Sequence, residues 1–260
     1  MELGLKGKRA LVVGASRGLG RGIAEGLAAE GCHVLLAARN VEKLGTIARD
    51  IRARCLVEAE AMELDLADPS SVDACCARAL ALGVDVLVNN SGGPPPSDAL
   101  GVAADTWRRQ FEIMVLGVIS LTDRLVPPMR AQKWGRVLTI ASSGVIQPIP
   151  TLGMSNTLRA GLVAWMKTLA GEVAADGVTV NVLLPGRIAT ERIAELDAAA
   201  AKRLGGDVDE ISRQAASNIP MGRYGAVEEF ASVAVFLASE KSSYVTGTMV
   251  RIDGGLVSSI

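Results

Sequence analysis

The sequence predicts a single α/β domain in which helices cover both faces of a doubly wound parallel sheet. Short apolar runs alternate with helix-forming segments along the chain, and a glycine-rich turn joins the first run to the first of those segments. Of the 260 residues, 49% are hydrophobic, and no linker rich in proline, glycine and serine divides them. We therefore expect one domain over residues 1–260, with enough apolar material for one large core.

The apolar runs have the composition of strands that are buried on both faces, as in a parallel sheet. They lie at residues 11–13, 34–38, 86–88, 137–140, 179–184 and 249–252. Ligands of such sheets bind beyond the carboxyl ends of the strands, so the residues that follow each run are the first candidates for a site.

The glycine-rich turn follows the apolar residues 9–13 and precedes the helix-forming residues 21–29. Glycines let the backbone turn tightly against a pyrophosphate, and the positive end of the following helix favours its negative charge. We expect cofactor contacts from Gly14, Ser16, Arg17, Gly18, Leu19 and Gly20. The Gly-xxx-Gly-x-Gly spacing alone also fits a turn with only a structural role.

Basic side chains indicate which nicotinamide cofactor is preferred. Arg39 follows the second apolar run, where an acidic residue would hold the ribose 2′-hydroxyl of NAD. A guanidinium there suits a 2′-phosphate instead, and Arg17 adds a second positive charge. NADP is therefore favoured over NAD, with two solvated surface arginines as the alternative.

Two further segments are candidates for cofactor contacts. Asp65 and Leu66 are placed to meet the adenine edge, and Asn90, Ser91 and Gly92 follow the run at residues 86–88, over the expected path of the cofactor. Taken alone, either segment also fits an ordinary loop.

Composition narrows the class of partner. The formal net charge is -1 and the basic residues are scattered, so we expect a small-molecule substrate and neither nucleic acid nor membrane. The cysteines at positions 32, 55, 75 and 76 lack metal-ligand spacing, so we expect no metal. The first apolar run is too short for a signal or membrane segment, and a reduced cytoplasmic setting is expected.

Several short motifs together resemble the classical short-chain dehydrogenase/reductase family, in a layout similar to 3-oxoacyl-acyl-carrier-protein reductases. The resemblance extends over residues 5–256 and implies a Rossmann-like fold. The matching positions are Gly14, Gly18, Gly20, residues 89–92, 140–142, 181–186, 244–247 and 253–255.

The same resemblance implies further cofactor contacts and an assembly. Contacts to the nicotinamide half are implied for Pro185, Gly186, Ile188 and Thr190. Residues 190–219 match the helical lid of the family. Helices at residues 107–124 and 154–174 would pair between subunits of a homotetramer or homodimer, whereas a face buried within one chain is the alternative for each.

The catalytic positions depart from the family. There a serine steadies the substrate carbonyl, a tyrosine exchanges the proton, and a lysine four residues further on binds the nicotinamide ribose. Ser142 matches the serine, but Ser155 and Arg159 replace the tyrosine and lysine, and Met114 replaces an asparagine that supports a water relay. An aliphatic hydroxyl is too weak an acid for the tyrosine's role, whereas Arg159 can still bind ribose hydroxyls. Ser142, Ser155 and Arg159 are therefore the catalytic candidates of an atypical active site.

Three residues near the expected pocket, and one tyrosine outside the segments expected at the nicotinamide, need separate interpretation. Glu191 and Arg192 fit either a polar-substrate contact or a solvated pair, and Arg187 fits either an anionic-substrate contact or a solvent-facing side chain. Tyr224 precedes a helix, and we favour a structural role for it over that of a substitute acid.

These observations predict an NADP-dependent oxidoreductase that acts on a carbonyl or alcohol with a non-standard proton donor. One alternative is a cofactor-binding module with a structural or redox-sensing role. Another is an enzyme whose reduction or elimination needs no tyrosine acid.

Overall fold

A computed structural model describes residues 2–259 and shows a seven-stranded, entirely parallel sheet in the order β3-β2-β1-β4-β5-β6-β7. The order reverses direction between β1 and β4, which is the doubly wound arrangement that the sequence predicts. The strands are β1 Arg9–Val13, β2 His33–Ala38, β3 Ala59–Glu63, β4 Val86–Asn89, β5 Gly135–Ile140, β6 Val178–Pro185 and β7 Met249–Ile252.

Helices flank the sheet on both faces. They are α1 Gly18–Ala29, α2 Val41–Cys55, α3 Pro69–Leu82, α4 Ala104–Phe111, α5 Gly117–Ala131, α6 Gly153–Val173, α7 Glu191–Leu204, α8 Val208–Ser217 and α9 Val227–Ala238. Short 3₁₀ turns lie at Ser143–Val145, Ala174–Asp176 and Glu240–Ser242. A π-helical turn, Glu112–Leu116, joins α4 to α5 without a break.

Alternate residues of the central strands supply the two halves of the core. In β1, Ala10 and Val12 pack in the cluster on one face of the sheet, whereas Leu11 and Val13 pack in the cluster on the other. Successive side chains of a strand point to opposite faces, so both faces must be apolar where helices cover both. This explains why the central strands are continuous apolar runs.

Strand β3 is the one strand that the apolar runs do not predict. It forms an edge of the sheet and pairs only with β2. Its sequence, Ala-Glu-Ala-Met-Glu, carries two carboxylates, and only Ala59 is fully buried. An edge strand with charged residues lacks the continuous apolar signal of the central strands.

The segment that the sequence assigns to a lid is helical, as expected. Thr190 caps the first helix, α7, by accepting a hydrogen bond from the Ile193 amide. Asp207 caps the second, α8, in the same way. The two helices lie next to each other beyond the carboxyl end of β6, which places them beside the ligand-binding edge of the sheet.

Candidate active site

Two glycines of the glycine-rich turn have no room for a side chain. Gly14 has a positive φ of 68° and would place a Cβ 2.6 Å from the Asn90 side-chain nitrogen. A Cβ at Gly20 would collide with the Gly14 carbonyl oxygen. The Gly14 amide donates to the Ala37 carbonyl at 2.7 Å, which holds the turn against the end of β2. The two glycines therefore let the turn pack tightly at the ends of β1, β2 and β4, and a tight turn before a helix suits a pyrophosphate.

Arg17, which precedes α1, is paired with carboxylates of α7. Its Nη1 lies 2.6 Å from Glu195 Oε1 and 3.2 Å from Glu191 Oε2. Hydrogen bonds to Glu195 and Glu191 raise the pKa of Arg17. Lys43 Nζ is also 3.7 Å from Glu191. The structure thus places Glu191 in an exposed ion-pair cluster, as in the solvated-pair interpretation. Its partners, however, are Arg17 and Lys43 and not Arg192.

The turn after β2 carries the second predicted phosphate ligand. Arg39 is exposed, and the next residue, Asn40, caps α2 by accepting from the Lys43 amide. Because the glycine-rich turn is held against this strand end, Arg17 and Arg39 lie at the same edge of the sheet. Two guanidinium groups and the Lys43 ammonium therefore border the turn.

The ends of β3 and β4 hold the other cofactor candidates. Asp65 lies in a tight turn in which its Oδ1 accepts from the Ala67 amide at 2.9 Å, and Leu66 is buried. Asn90 packs against Gly14, and Ser91 and Gly92 follow it into the loop beyond β4.

Asn89 anchors the end of β4. Its Nδ2 donates to Thr122 Oγ1 at 3.1 Å and lies 3.4 Å from Thr139 Oγ1, which links the strand to α5 and β5. This buried linkage fixes the origin of the loop that carries Asn90, Ser91 and Gly92.

Ser142 and Ser155 lie on neighbouring elements. Ser142 follows β5, and its hydroxyl accepts from the Gly144 amide at 3.1 Å. A Cβ on Gly144 would contact both Ser142 Oγ and the Asn156 side chain, so the first turn of α6 packs on the Ser142 loop. Ser155, in that turn, is 8% exposed. Its hydroxyl makes no hydrogen bond to any residue from 2 to 259 and is free to bind a ligand.

Arg159 lies one turn further along the same face of α6 as Ser155 and is 8% exposed. Its Nη1 donates to the Ile140 carbonyl at 2.9 Å and its Nη2 donates to the Gly92 carbonyl. Burial, and then the nearby charge of Arg192, lowers the pKa of Arg159 to about 10, so the group is a cation at neutral pH. The guanidinium therefore bridges the end of β5 and the loop beyond β4, and its contact with the nicotinamide ribose stays a prediction.

Met114 makes the floor beside α6 apolar. It lies in the π-helical turn, is 2% exposed, and packs with Met154 and Leu158. A π-turn is often found at functional sites, and here it is filled by a thioether instead of a hydrogen-bonding amide.

The segment after β6 closes the other side of the site. A Cβ at Gly186 would lie 2.6 Å from the Asp253 Cα, so the chain passes there without room for a side chain. The Ile188 side chain packs in the core and its backbone bridges to Gly225, which leaves only backbone atoms of Ile188 for a cofactor. Thr190 is engaged as the cap of α7. Pro185 ends the strand.

Arg187 is held by a buried carboxylate while part of its side chain stays accessible. Its Nη1 lies 2.5 Å from Asp197 Oδ1 and 3.2 Å from the Tyr224 hydroxyl, and the side chain is 35% exposed. Asp197 is 2% exposed and also accepts from Tyr224 and Ser212. Arg187 thus supplies the cationic partner that a buried carboxylate of α7 needs, and a substrate contact through its exposed part stays a prediction.

Tyr224 is held as a neutral donor in this network. Burial and its hydrogen bond to Asp197 raise the pKa of Tyr224. A phenol with a raised pKa is a poor replacement for a tuned catalytic tyrosine, which agrees with the structural role favoured from the sequence.

Arg192 reaches across the cleft from α7. Its Nη2 donates to the Pro94 carbonyl at 2.8 Å, and its Nη1 lies 3.6 Å from Glu195. The contact joins the proposed lid to the loop beyond β4. Local sequence does not predict this contact, and it does not predict the roles of Asp197 and Glu195. Each of these interactions joins residues that are far apart in the chain.

Two features are absent from residues 2–259 of the structure. No group of three or more His, Cys, Asp or Glu side chains is arranged to hold a metal ion there. No helix in that part of the chain is long and apolar enough to cross a membrane.

The chain is similar to known reductases over almost its whole length. A family model described as enoyl-(acyl carrier protein) reductase matches residues 14–257. The 3-oxoacyl-[acyl-carrier-protein] reductase of Aquifex aeolicus is 34% identical over 260 residues, covering 98% of this chain and 100% of that protein.

Solved structures give the same result. L-sorbose reductase from Gluconobacter frateurii, complexed with NADPH and L-sorbose, superposes with a TM-score of 0.94 at 34% identity, with full coverage of both chains. A short-chain type dehydrogenase/reductase from Mycobacterium marinum has a TM-score of 0.86 at 30% identity, covering 98% of this chain and 97% of that one. The sheet order, the glycine-rich turn and these matches agree, and the chain belongs to the short-chain dehydrogenase/reductase family of oxidoreductases.

Proposed function

We propose that the protein is an NADP-dependent oxidoreductase that acts on a carbonyl or alcohol through an active site without the family's tyrosine and lysine. The observation that carries the proposal is the position of Arg159, whose cation bridges the end of β5 and the loop beyond β4, at the same edge of the sheet as the glycine-rich turn. A cofactor laid across this edge would pass from the turn to the guanidinium.

NADP fits the residues that border the turn. Gly14 and Gly20 let the turn pack closely against Asn90 and against itself, and Arg17, Arg39 and Lys43 supply positive charge for a 2′-phosphate. The relative solved with NADPH, L-sorbose reductase, supports the same choice. NADP supplies the hydride-transfer chemistry when it is bound.

The remaining predicted contacts are proposed along the same path. Asp65 and Leu66 would meet the adenine end, and Asn90, Ser91 and Gly92 the middle of the cofactor. The phosphates would lie at Ser16, Gly18 and Leu19, and the nicotinamide half at Pro185, Gly186, Ile188, Thr190 and Arg159.

The polar side chains of the site can orient and polarise a substrate carbonyl. Ser142 and Ser155 offer hydroxyl groups as hydrogen-bond donors, and the charge of Arg159 stabilises negative charge that develops on the carbonyl oxygen. None of them is a tuned acid, and loss of general acid catalysis slows a reaction by about 10²–10⁴-fold. Ser155 would therefore relay a proton from water and not release its own.

The test is turnover with a panel of ketones, alcohols and enones, followed by nicotinamide absorbance against a cofactor-only control. Tight NADPH binding with turnover that falls in Ser142→Ala supports the proposal. Tight binding without turnover of any compound would replace it with the cofactor-binding module. Turnover of enones alone would point to a reduction that needs no tyrosine acid.

We further propose that residues 190–219 act as a lid and that the protein is a cytoplasmic homotetramer or homodimer. The apolar side chains of Phe111 and Leu116 are 42% and 40% exposed along the α4–α5 segment, which supports a subunit contact there. Light scattering of the purified protein tests the oligomeric state.

A further inference from the structure

We propose that Arg159 and Arg192 form a binding site for a carboxylate group of the substrate, so that the substrate is an oxo acid or hydroxy acid. The inference rests on the proposed function, because it assigns the substrate class of the same site. It comes from three features: an uncompensated buried cation, a second cation held beside it, and two free or accessible hydroxyl groups next to them.

Arg159 is a buried charge without a counter-ion. Within residues 2–259 no carboxylate lies within ion-pair distance of it, and its hydrogen-bond acceptors are the backbone carbonyls of Ile140 and Gly92. These use two of the five N–H groups of a guanidinium. Buried charges are normally paired because an isolated one is costly to desolvate. Three donors of Arg159 remain, enough for a carboxylate beside the proposed ribose contact.

Arg192 brings a second guanidinium to the same place. Arg159 donates to the Gly92 carbonyl and Arg192 donates to the Pro94 carbonyl, so both side chains are anchored on one three-residue segment. The charge of Arg192 is also felt at Arg159, whose pKa it lowers. Two cations held this close repel each other, and an anion bound between them would relieve that repulsion.

This pair is separate from the predicted 2′-phosphate site. Arg39 follows β2, whereas Arg159 contacts the ends of β4 and β5, and β1 lies between these strands in the sheet. Neighbouring strands are about 4.8 Å apart, so the two sites are separated by roughly 10 Å or more. The phosphate on the adenosine ribose cannot occupy both.

The two serine hydroxyl groups indicate which functional group accompanies the carboxylate. Ser155 lies one helical turn from Arg159 on the same face, and Ser142 lies in the loop on which that turn packs. A substrate with its carboxylate on the two guanidinium groups can direct a neighbouring carbonyl or hydroxyl at the serines. A planar carboxylate also matches the planar fork of arginine donors.

The test uses calorimetric titration of the full chain saturated with NADP⁺, which does not reduce a ketone. The probes are acetoacetate, levulinate and benzoate, each paired with its uncharged methyl ester. At least one carboxylate should bind about tenfold or more tightly than its ester, the scale of one charge-assisted hydrogen bond. Arg192→Gln should remove that preference, and Arg192→Lys should retain part of it.

The matched control is Arg203→Gln, because Arg203 is an exposed arginine on the same helix. It should keep the preference for carboxylates. Arg192 is preferred to Arg159 for the test because its side chain is 40% exposed and its removal leaves the core intact.

The outcomes separate the two proposals. If NADP⁺ itself does not bind, the proposed function fails. If NADP⁺ binds but every carboxylate is matched by its ester, the carboxylate site is wrong while the cofactor assignment stands. Retention of the full preference in Arg192→Gln would likewise overturn the site.

Discussion

Arg17 Nη1 lies 2.6 Å from Glu195 Oε1, so a residue proposed to bind the cofactor phosphate is already paired with a carboxylate of α7. The two side chains are 45% and 48% exposed, and an exposed ion pair contributes little stability. A doubly charged phosphate can therefore displace the carboxylate. Cofactor binding and the position of α7 are linked through this one guanidinium.

We predict that Glu195→Gln strengthens NADPH binding. Removing the carboxylate frees Arg17 and removes a negative charge that repels the 2′-phosphate, so affinity should rise about two- to fivefold, the scale of an exposed ion pair. Titration with NADPH and NADH measures it, and NADH affinity should barely change. Glu210→Gln, on the neighbouring helix, is the control. Weaker NADPH binding in Glu195→Gln would mean that the pair assists the site.

We also predict that Arg39→Ala reduces the preference for NADPH over NADH. Arg39 is exposed directly after β2, and each charge-assisted contact to a phosphate contributes roughly 1.5–3 kcal/mol before solvent screening. Screening should leave a loss of about tenfold or less in NADPH affinity. Arg49→Ala, on the exposed side of α2, controls for general loss of charge. An unchanged cofactor preference would remove Arg39 from the site.

Asp197 should be important for stability, although no motif in the sequence marks it. It is 2% exposed and accepts hydrogen bonds from Arg187, Tyr224 and Ser212, which joins α7 to α8 and to the segment after β6. Asp197→Ala leaves Arg187 without its carboxylate, and we expect a loss of about 1–3 kcal/mol in the free energy of unfolding. Asp197→Asn should lose less, since it keeps an acceptor.

Urea denaturation of Asp197→Ala and of the exposed control Asp209→Ala measures this effect. If both variants unfold at the same urea concentration as the parent, the network does not hold α7 in place.

The sequence predicts the parts of the site that are local in the chain. The glycine-rich turn and the ends of β1, β2 and β4 follow from short motifs, because a strand, a tight turn and a helix are each specified by neighbouring residues. The partner of Arg17 lies 178 residues away and that of Arg187 lies on a different element. Such pairs depend on how α7 docks, which no local pattern encodes.

The relative placement of two catalytic candidates also follows from neighbouring residues. Ser155 and Arg159 are one turn apart on a continuous helix, so their shared face follows from helical periodicity. Only the structure shows that Arg159 reaches two strand ends and that Met114 fills the π-helical turn beside it.

The last prediction is that Ser155→Tyr combined with Arg159→Lys raises the rate of neutral ketone reduction. The pair restores a phenol whose pKa a neighbouring cation can lower, and general acid catalysis typically contributes about 10²–10⁴-fold. Each single change should do less, because a tyrosine without the lysine lacks its proton relay and a lysine without the tyrosine has no phenol to tune. Ser155 is 8% exposed, so a larger side chain needs space.

Met114→Asn, added to the double variant, tests whether the buried thioether also blocks a water relay. Circular dichroism and NADPH affinity establish that each variant is folded and binds cofactor before rates are compared across uncharged ketones. Because the lysine replaces a guanidinium of the proposed carboxylate site, the same variants should discriminate less between carboxylates and their esters. A folded, cofactor-binding triple variant that reduces neutral ketones no faster than the parent would show that the pocket is shaped for chemistry in which a tyrosine acid has no part.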